Sequence, residues 1–111
     1  MAAIESRNIN ENKTLVGLAN GETHAHEHMV RENTSAKKIK LTAAFAALGL
    51  VTVKINTEVV ARKFTGTNTP NVDFVFQSDF TVMAGKEIKI EVLNQSGSAS
   101  DCHTNIQLEQ S

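Results

Sequence analysis

The sequence predicts a single all-β domain: an antiparallel β-sandwich, with a jelly roll as the first choice of topology and a flexible N-terminal arm. Three observations carry this. Apolar and polar residues alternate with period two through most of the chain from Leu50 onward, which is the signature of strands with one buried face. Turn-forming clusters recur about every 8 to 12 residues, the spacing of short antiparallel strands. No stretch supplies the long crossover helices that parallel strands require. At 111 residues the chain can bury one two-layer core, so the domain is expected to span 1–111.

Residues 1–12 carry three Asn and several charges and read as an arm not tied into the core. KTLVGL (13–18), ETHAHEHMV (22–30) and KKIKL (37–41) read as strands. Asn20-Gly21 is the strongest short hairpin signal available, and Asn33-Thr34-Ser35 is a polar break. TAAFAALG, 42–49, is ambiguous: Thr42 as a cap, Phe45 and Leu48 on one face and Gly49 as a stop would make a two-turn helix. Short apolar runs of this kind serve equally as strands.

The second half is plainer. LVTVKI places Val51, Val53 and Ile55 on one face. A polar turn, Asn56-Thr57-Glu58, leads to VVARKF, and TGTNTPN, holding Gly66 and the only proline, is a surface loop. VDFVF and DFTVM are short apolar strands. In EIKIEVL, Ile88, Ile90 and Val92 point inward while Glu87, Lys89 and Glu91 face water. NQSGSASD is a flexible loop, and CHTNIQL alternates with Cys102, Thr104, Ile106 and Leu108 on one side.

Charge and composition exclude several function classes. Eleven Lys and Arg against twelve Asp and Glu leave a net charge of -1, without the basic footprint of a protein that tracks a phosphate backbone. The longest apolar stretch, 43–51, is too short to cross a membrane as a helix, and MAAIESRNIN lacks the basic start and apolar run of a secretory signal. One cysteine, Cys102, closes no intramolecular disulfide.

THAHEH, 23–28, is the one segment that looks like chemistry. On a strand His24, His26 and His28 share a face at roughly 7 Å intervals. Two of them can converge on a metal if a third ligand arrives from elsewhere, the candidates being Glu22, Glu27, Asp101, Cys102 and His103. Nothing pairs those residues with the row, so a solvated or interfacial polar strand face outweighs the metal reading, and no cofactor is expected. In a symmetric oligomer the row could also meet at an axis and sense pH. Cys102 and His103 point to opposite faces of one strand and cannot form a nucleophile and base pair. No phosphate loop, nucleophile elbow or CxxC pair is present, so the chain is read as no enzyme. Sugar-binding sandwiches present Trp or Tyr platforms, and this chain has neither, with four of its five Phe in strand positions that look like core.

What remains is a surface rich in Asn, Thr, Ser and Gln, as in NTEVVARKFTGTNTPN and NQSGSASDCHTN, which suits wet contacts with another protein. Together with the polar N-terminal segment and strands such as FTVMAGKEIKIEVLNQSGSASDCHTNIQL, the chain resembles the small decoration, or cement, proteins of tailed bacteriophage capsids. The resemblance implies a homo-oligomer, a dimer or trimer, on the outer surface of the virion, with the major capsid protein as partner. It would bridge capsomers and stabilise the assembled shell by mass action and multivalency. Contact residues are expected on the arm, at Ile4, Arg7 and Asn8, and on the loops, at Asn68, Asn71 and Ser98. The alternative is a non-catalytic carbohydrate- or receptor-binding module of a phage fibre.

Overall fold

A computed structural model describes residues 8–77 and 80–110. Among the described residues nine strands follow one another: β1 (Asn8–Leu18), β2 (Thr23–Met29), β3 (Thr34–Phe45), β4 (Gly49–Ile55), β5 (Glu58–Thr65), β6 (Asn71–Phe76), β7 (Phe80–Val82), β8 (Glu87–Asn94) and β9 (Ser100–Gln110). Every pairing is antiparallel. One sheet, here sheet A, runs β1-β9-β3-β6 with β7 also on β3, and sheet B runs β2-β8-β4-β5.

This order follows from one long hairpin rolled up on itself. Its tip is the β4–β5 turn, and outward from it β3 pairs β6 and β7, β2 pairs β8, and β1 pairs β9. Rolling then sets β9 on β3 and β8 on β4, so alternate arms of the ribbon fall in opposite sheets. The result is a β-sandwich of jelly-roll type. Inward residues of both sheets fill the space between them: Ile39, Leu41 and Phe45 of β3, Val51 and Val53 of β4, Ile88, Ile90 and Val92 of β8, and Ile106 and Leu108 of β9, all fully buried.

At the hairpin tip Asn56 and Thr57 both have positive φ, 57° and 69°, as the tight primed turn demands. A β-branched Thr is a costly choice there. Asn56 is held on three sides: its amide donates to Glu87 O at 3.1 Å, its side chain donates to Thr81 O at 3.0 Å, and its Oδ1 accepts from Met83 N at 2.9 Å.

Three expectations are corrected. The helix allowed over 42–49 is absent. Thr42, Ala43 and Ala44 pair with β6 on one side and β9 on the other, and two ladders outweigh the helix preference of alanine. Gly49 is no helix stop but a contact site, since a Cβ there would lie 2.8 Å from the Phe45 ring. Asn20-Gly21 makes a turn, with Gly21 at φ 85°, yet β1 and β2 lie in opposite sheets. The turn is therefore a corner between layers and not a hairpin. The arm expected over 1–12 is strand from Asn8 onward, because Asn8 to Leu15 pair residue by residue with β9. Ile4 and Arg7 lie outside the described residues.

Candidate functional site

The histidine row closes one long side of the sandwich, where edge strand β1 of sheet A faces edge strand β2 of sheet B. All three imidazoles point between the sheets, as the alternation requires. Of the solvated or interfacial face expected, the solvated alternative fails for two of them, since His24 and His26 are 3% and 5% exposed. Across from them β1 turns Glu11 and Lys13 inward, opposite Ile106 and Thr104 of β9.

Thr104 is the hub. Its Oγ1 lies 3.2 Å from His24 Nε2 and 2.9 Å from His26 Nδ1, and it donates to Lys13 O at 3.3 Å. A hydroxyl has one proton and two lone pairs, so with its proton spent on Lys13 O it accepts from both imidazoles. Glu11 completes the seam: Oε2 is 3.0 Å from His28 Nδ1 and Oε1 is 3.6 Å from His26 Nε2. Lys13 Nζ crosses to donate to Ala25 O on β2 at 2.8 Å.

Burial, and then the Lys13 ammonium, hold the His24 imidazole below the ordinary histidine range. Burial also lowers His26, against the pull of Glu11 upward. Both effects favour the neutral form, as desolvation does for any buried base.

None of the five residues considered as partners for the row meets it. Glu22 accepts from Ala19 N at 3.0 Å, Asp101 accepts from Gly17 N at 2.9 Å, and Glu27 pairs with Lys89 at 3.1 Å on the outer face of sheet B. His103 is exposed and bonds Thr14 Oγ1 at 2.9 Å. Cys102 is fully buried in the core, and burial pushes its thiol up to about 12, the state of an inert structural cysteine. Among the described residues no three His, Cys, Asp or Glu side chains are grouped to hold a metal.

The loops between strands gather at one end of the sandwich. Leu18 pairs with Ser100, and Gly49 with both Thr65 and Asn94. The corner at 19–22 and the loops at 46–48, 66–70 and 95–99 therefore share that end. Asn94, fully buried, pins it by donating to Leu18 O and Ser98 O, both at 2.8 Å, and accepting from Ser96 N at 2.8 Å. Asn20 Oδ1 accepts from Gly97 N at 2.9 Å. The loop read as flexible is thus tied from inside. Asn68, Asn71 and Ser98 all lie at this end with exposed side chains. Asn8 stands at the other end, beside Glu109, ten strand rises or roughly 33 Å from Leu18.

The two outer faces differ. On sheet A, Asn12, Asn105, Thr42 and Asp73 form one row across four strands, flanked by Asn10, Gln107, Lys40 and Val75. Asn105 Nδ2 bonds Asn10 Oδ1 and Asn12 Oδ1, each at 2.7 Å. On sheet B, Lys89 sits among Glu27, Glu91 and Glu87 at 3.1, 3.3 and 3.8 Å. Its ammonium is held above the ordinary lysine range first by the bond to Glu27. Beyond this charged strip Leu93, Leu50 and Phe64 stand in one row, and Phe64 is 60% exposed, not core as its strand position implied.

Sequence reasoning missed Glu11, Lys13, Thr104 as a hub and Asn94. Glu11 and Lys13 carried a usable signal: both, with Ile9 and Leu15, occupy alternate positions of 9–15. That period was masked by the amides between them.

No family model matches the sequence, and no curated protein matches it. Among solved structures the chain is similar to a chain of the Bacillus endospore appendages, a novel family of disulfide-linked pili, with a TM-score of 0.53 at 8% identity, covering 100% of this chain and 96% of that one. It is also similar to the Podospora anserina GH26-CBM35 β-(1,4)-mannanase, with a TM-score of 0.55 at 12% identity, covering 96% of this chain but 28% of the mannanase. A de novo designed double-stranded β-helix aligns at 11% identity and a TM-score of 0.44, covering 91% of this chain and 99% of the design. At such identities the likeness is one of fold alone.

Proposed function

We propose that this chain is a non-catalytic structural module of the capsid-decoration type, which docks on the outside of an assembled shell and bridges its subunits. The observation that supports this reading is the pinned loop end. Seven of the ten Asn are engaged in side-chain bonds within the chain: Asn10, Asn12, Asn20, Asn33, Asn56, Asn94 and Asn105. Asn68 and Asn71 are exposed at the loop end and make no such bond. The backbone that carries them is fixed by the mutual Gly66–Thr69 bonds at 3.1 Å and by Phe45 N donating to Pro70 O at 2.8 Å, and free polar groups on a fixed loop suit a wet, hydrogen-bonded interface. The major capsid protein is the partner in this reading. A dimer or trimer would multiply individually weak contacts. Assembly would be non-covalent, since the only cysteine is buried.

The test is to separate a lysate of the source on a density gradient and locate the polypeptide by mass spectrometry. Co-sedimentation with intact shells at many copies, reduced when Asn68 and Asn71 are replaced by Lys, is the expected result. A polypeptide that stays among the small soluble proteins sinks the reading.

A second reading, sugar binding, has one observation in its favour. A surface cleft of about 200 Å³ on sheet A is lined by Asn10, Lys38, Lys40, Gln107 and Glu109 together with Ile9 and Leu108, so amides and charges converge there. It has no aromatic ring to stack on a sugar. A glycan array without hits disposes of it.

A further inference from the structure

The seam between β1 and β2 holds more titratable groups than closing a sandwich requires. We propose that it is an acid-opened latch, in which protonation of His24 and His26 releases β1 from sheet B while the rest of the jelly roll stays folded.

The geometry supports this on three grounds. First, in the described seam β1 holds sheet B by polar contacts: Glu11 to His28, Lys13 to Ala25 O, and the Thr104 hydroxyl shared by two imidazoles and Lys13 O. Second, the charges change sign of effect on acidification. With neutral imidazoles Glu11 and Lys13 sum to zero, and protonation of His24 and His26 brings the seam to +2, with one carboxylate to offset it. The groups facing the row are Glu11 and Lys13 from β1 and Thr104 from β9; the neighbouring inward residues of β8, Ile88, Ile90 and Val92, are apolar and offer no counter-charge. His103, on the far face of β9, further disfavours a proton on His24. Third, β1 is an edge strand, paired on one side alone, and its residues 12–17 are exposed. Segments with few buried contacts and exposed backbone open first.

The sign of the pH dependence is set by His24 and His26, both held below the ordinary histidine range. The folded seam binds protons less readily than the open one. Its stability is complete above about pH 6.5, the unperturbed histidine value, and is lost as the pH falls through the lower folded values.

The test follows backbone amides and imidazole resonances by NMR from about pH 7.5 to about pH 4.5, through the histidine range. Amides of β1 and β2 are expected to exchange at least about tenfold faster at the acid end, after correction for intrinsic exchange, while amides of β3, β4 and β8 keep their protection. The opening midpoint should follow the imidazole titrations. Glu11→Gln, which removes the lone facing carboxylate, should enlarge the acid step, and Lys13→Met, which lifts a charge that lowers both imidazoles, should shrink it. His24→Gln with His26→Gln should abolish most of the step. If that variant fails to fold, the opposed effects of the two single variants still decide the matter. Loss of protection in all strands together, or β1 amides unchanged through the imidazole titrations, overturns the latch.

Discussion

The sandwich is closed along its two long sides by seams that share one device and differ in everything else. At the β1–β2 seam Lys13 crosses from sheet A to the Ala25 carbonyl of β2 at 2.8 Å. At the β5–β6 seam Lys63 crosses from sheet B to the Asp73 carbonyl of β6 at 2.7 Å. Each places an inward lysine over an edge strand and caps a carbonyl that could otherwise accept from another chain, a recognised way of blunting sheet edges. Behind Lys13 lie Thr104, Glu11 and three imidazoles; behind Lys63 lies the Phe74 ring, with Nζ 5.1 Å from its centroid. One seam is therefore built around imidazoles, two of them held below the ordinary histidine range, and the other from an aromatic face and a lysine. The same edge problem has a pH-dependent and a pH-independent solution in one molecule.

The largest separation between the seams is expected from Thr104→Val, which keeps the shape but leaves the His24 and His26 donors without their acceptor. Two buried donors left unpaired cost about 2–4 kcal/mol together, read as a fall in the denaturant midpoint at unchanged slope. A loss under about 1 kcal/mol would mean that water or Glu11 replaces the hydroxyl.

Acidification comes next. Global stability should decline below about pH 6.5, because the lowered His24 and His26 take up protons more readily unfolded than folded. Denaturant titrations of His24→Gln with His26→Gln should show a flatter profile across that range. An unchanged slope would place the acid sensitivity outside the β1–β2 seam.

Lys63→Met tests the other side. It removes a cation over an aromatic face, worth about 0.5–1 kcal/mol at an exposed site, and the loss should be the same at neutral and mildly acid pH. A loss that varies between those conditions would show that the two seams communicate.

Thr57→Gly is the smallest change and touches neither seam. Relieving a β-branched residue at φ 69° should raise stability by about 0.5–1 kcal/mol without altering the acid response.

Local pattern made some of this legible. In EIKIEVL and CHTNIQL the alternation alone named the buried residues Ile88, Ile90, Val92, Cys102, Ile106 and Leu108, because period two permits only two faces and one must be apolar. The alternation of THAHEH likewise put the three imidazoles on one side. It could not say whether that side met water or protein, for both faces of an edge strand can be polar. The stretch at 42–45 misled because alanine is neutral in pattern, and only the ladders on both its flanks made it strand.

What the sequence by itself determined is the all-β class, the position of most strands, and the shared face of the histidine row, since these depend on spacing along one chain. What the tertiary structure decided is which strands meet. Rolling the hairpin brings the first strand against the last and sets Glu11 and Lys13 over His24, His26 and His28, about 80 residues from Thr104 in sequence. Contacts at that separation depend on how the two layers close over a common core, and no local period encodes it.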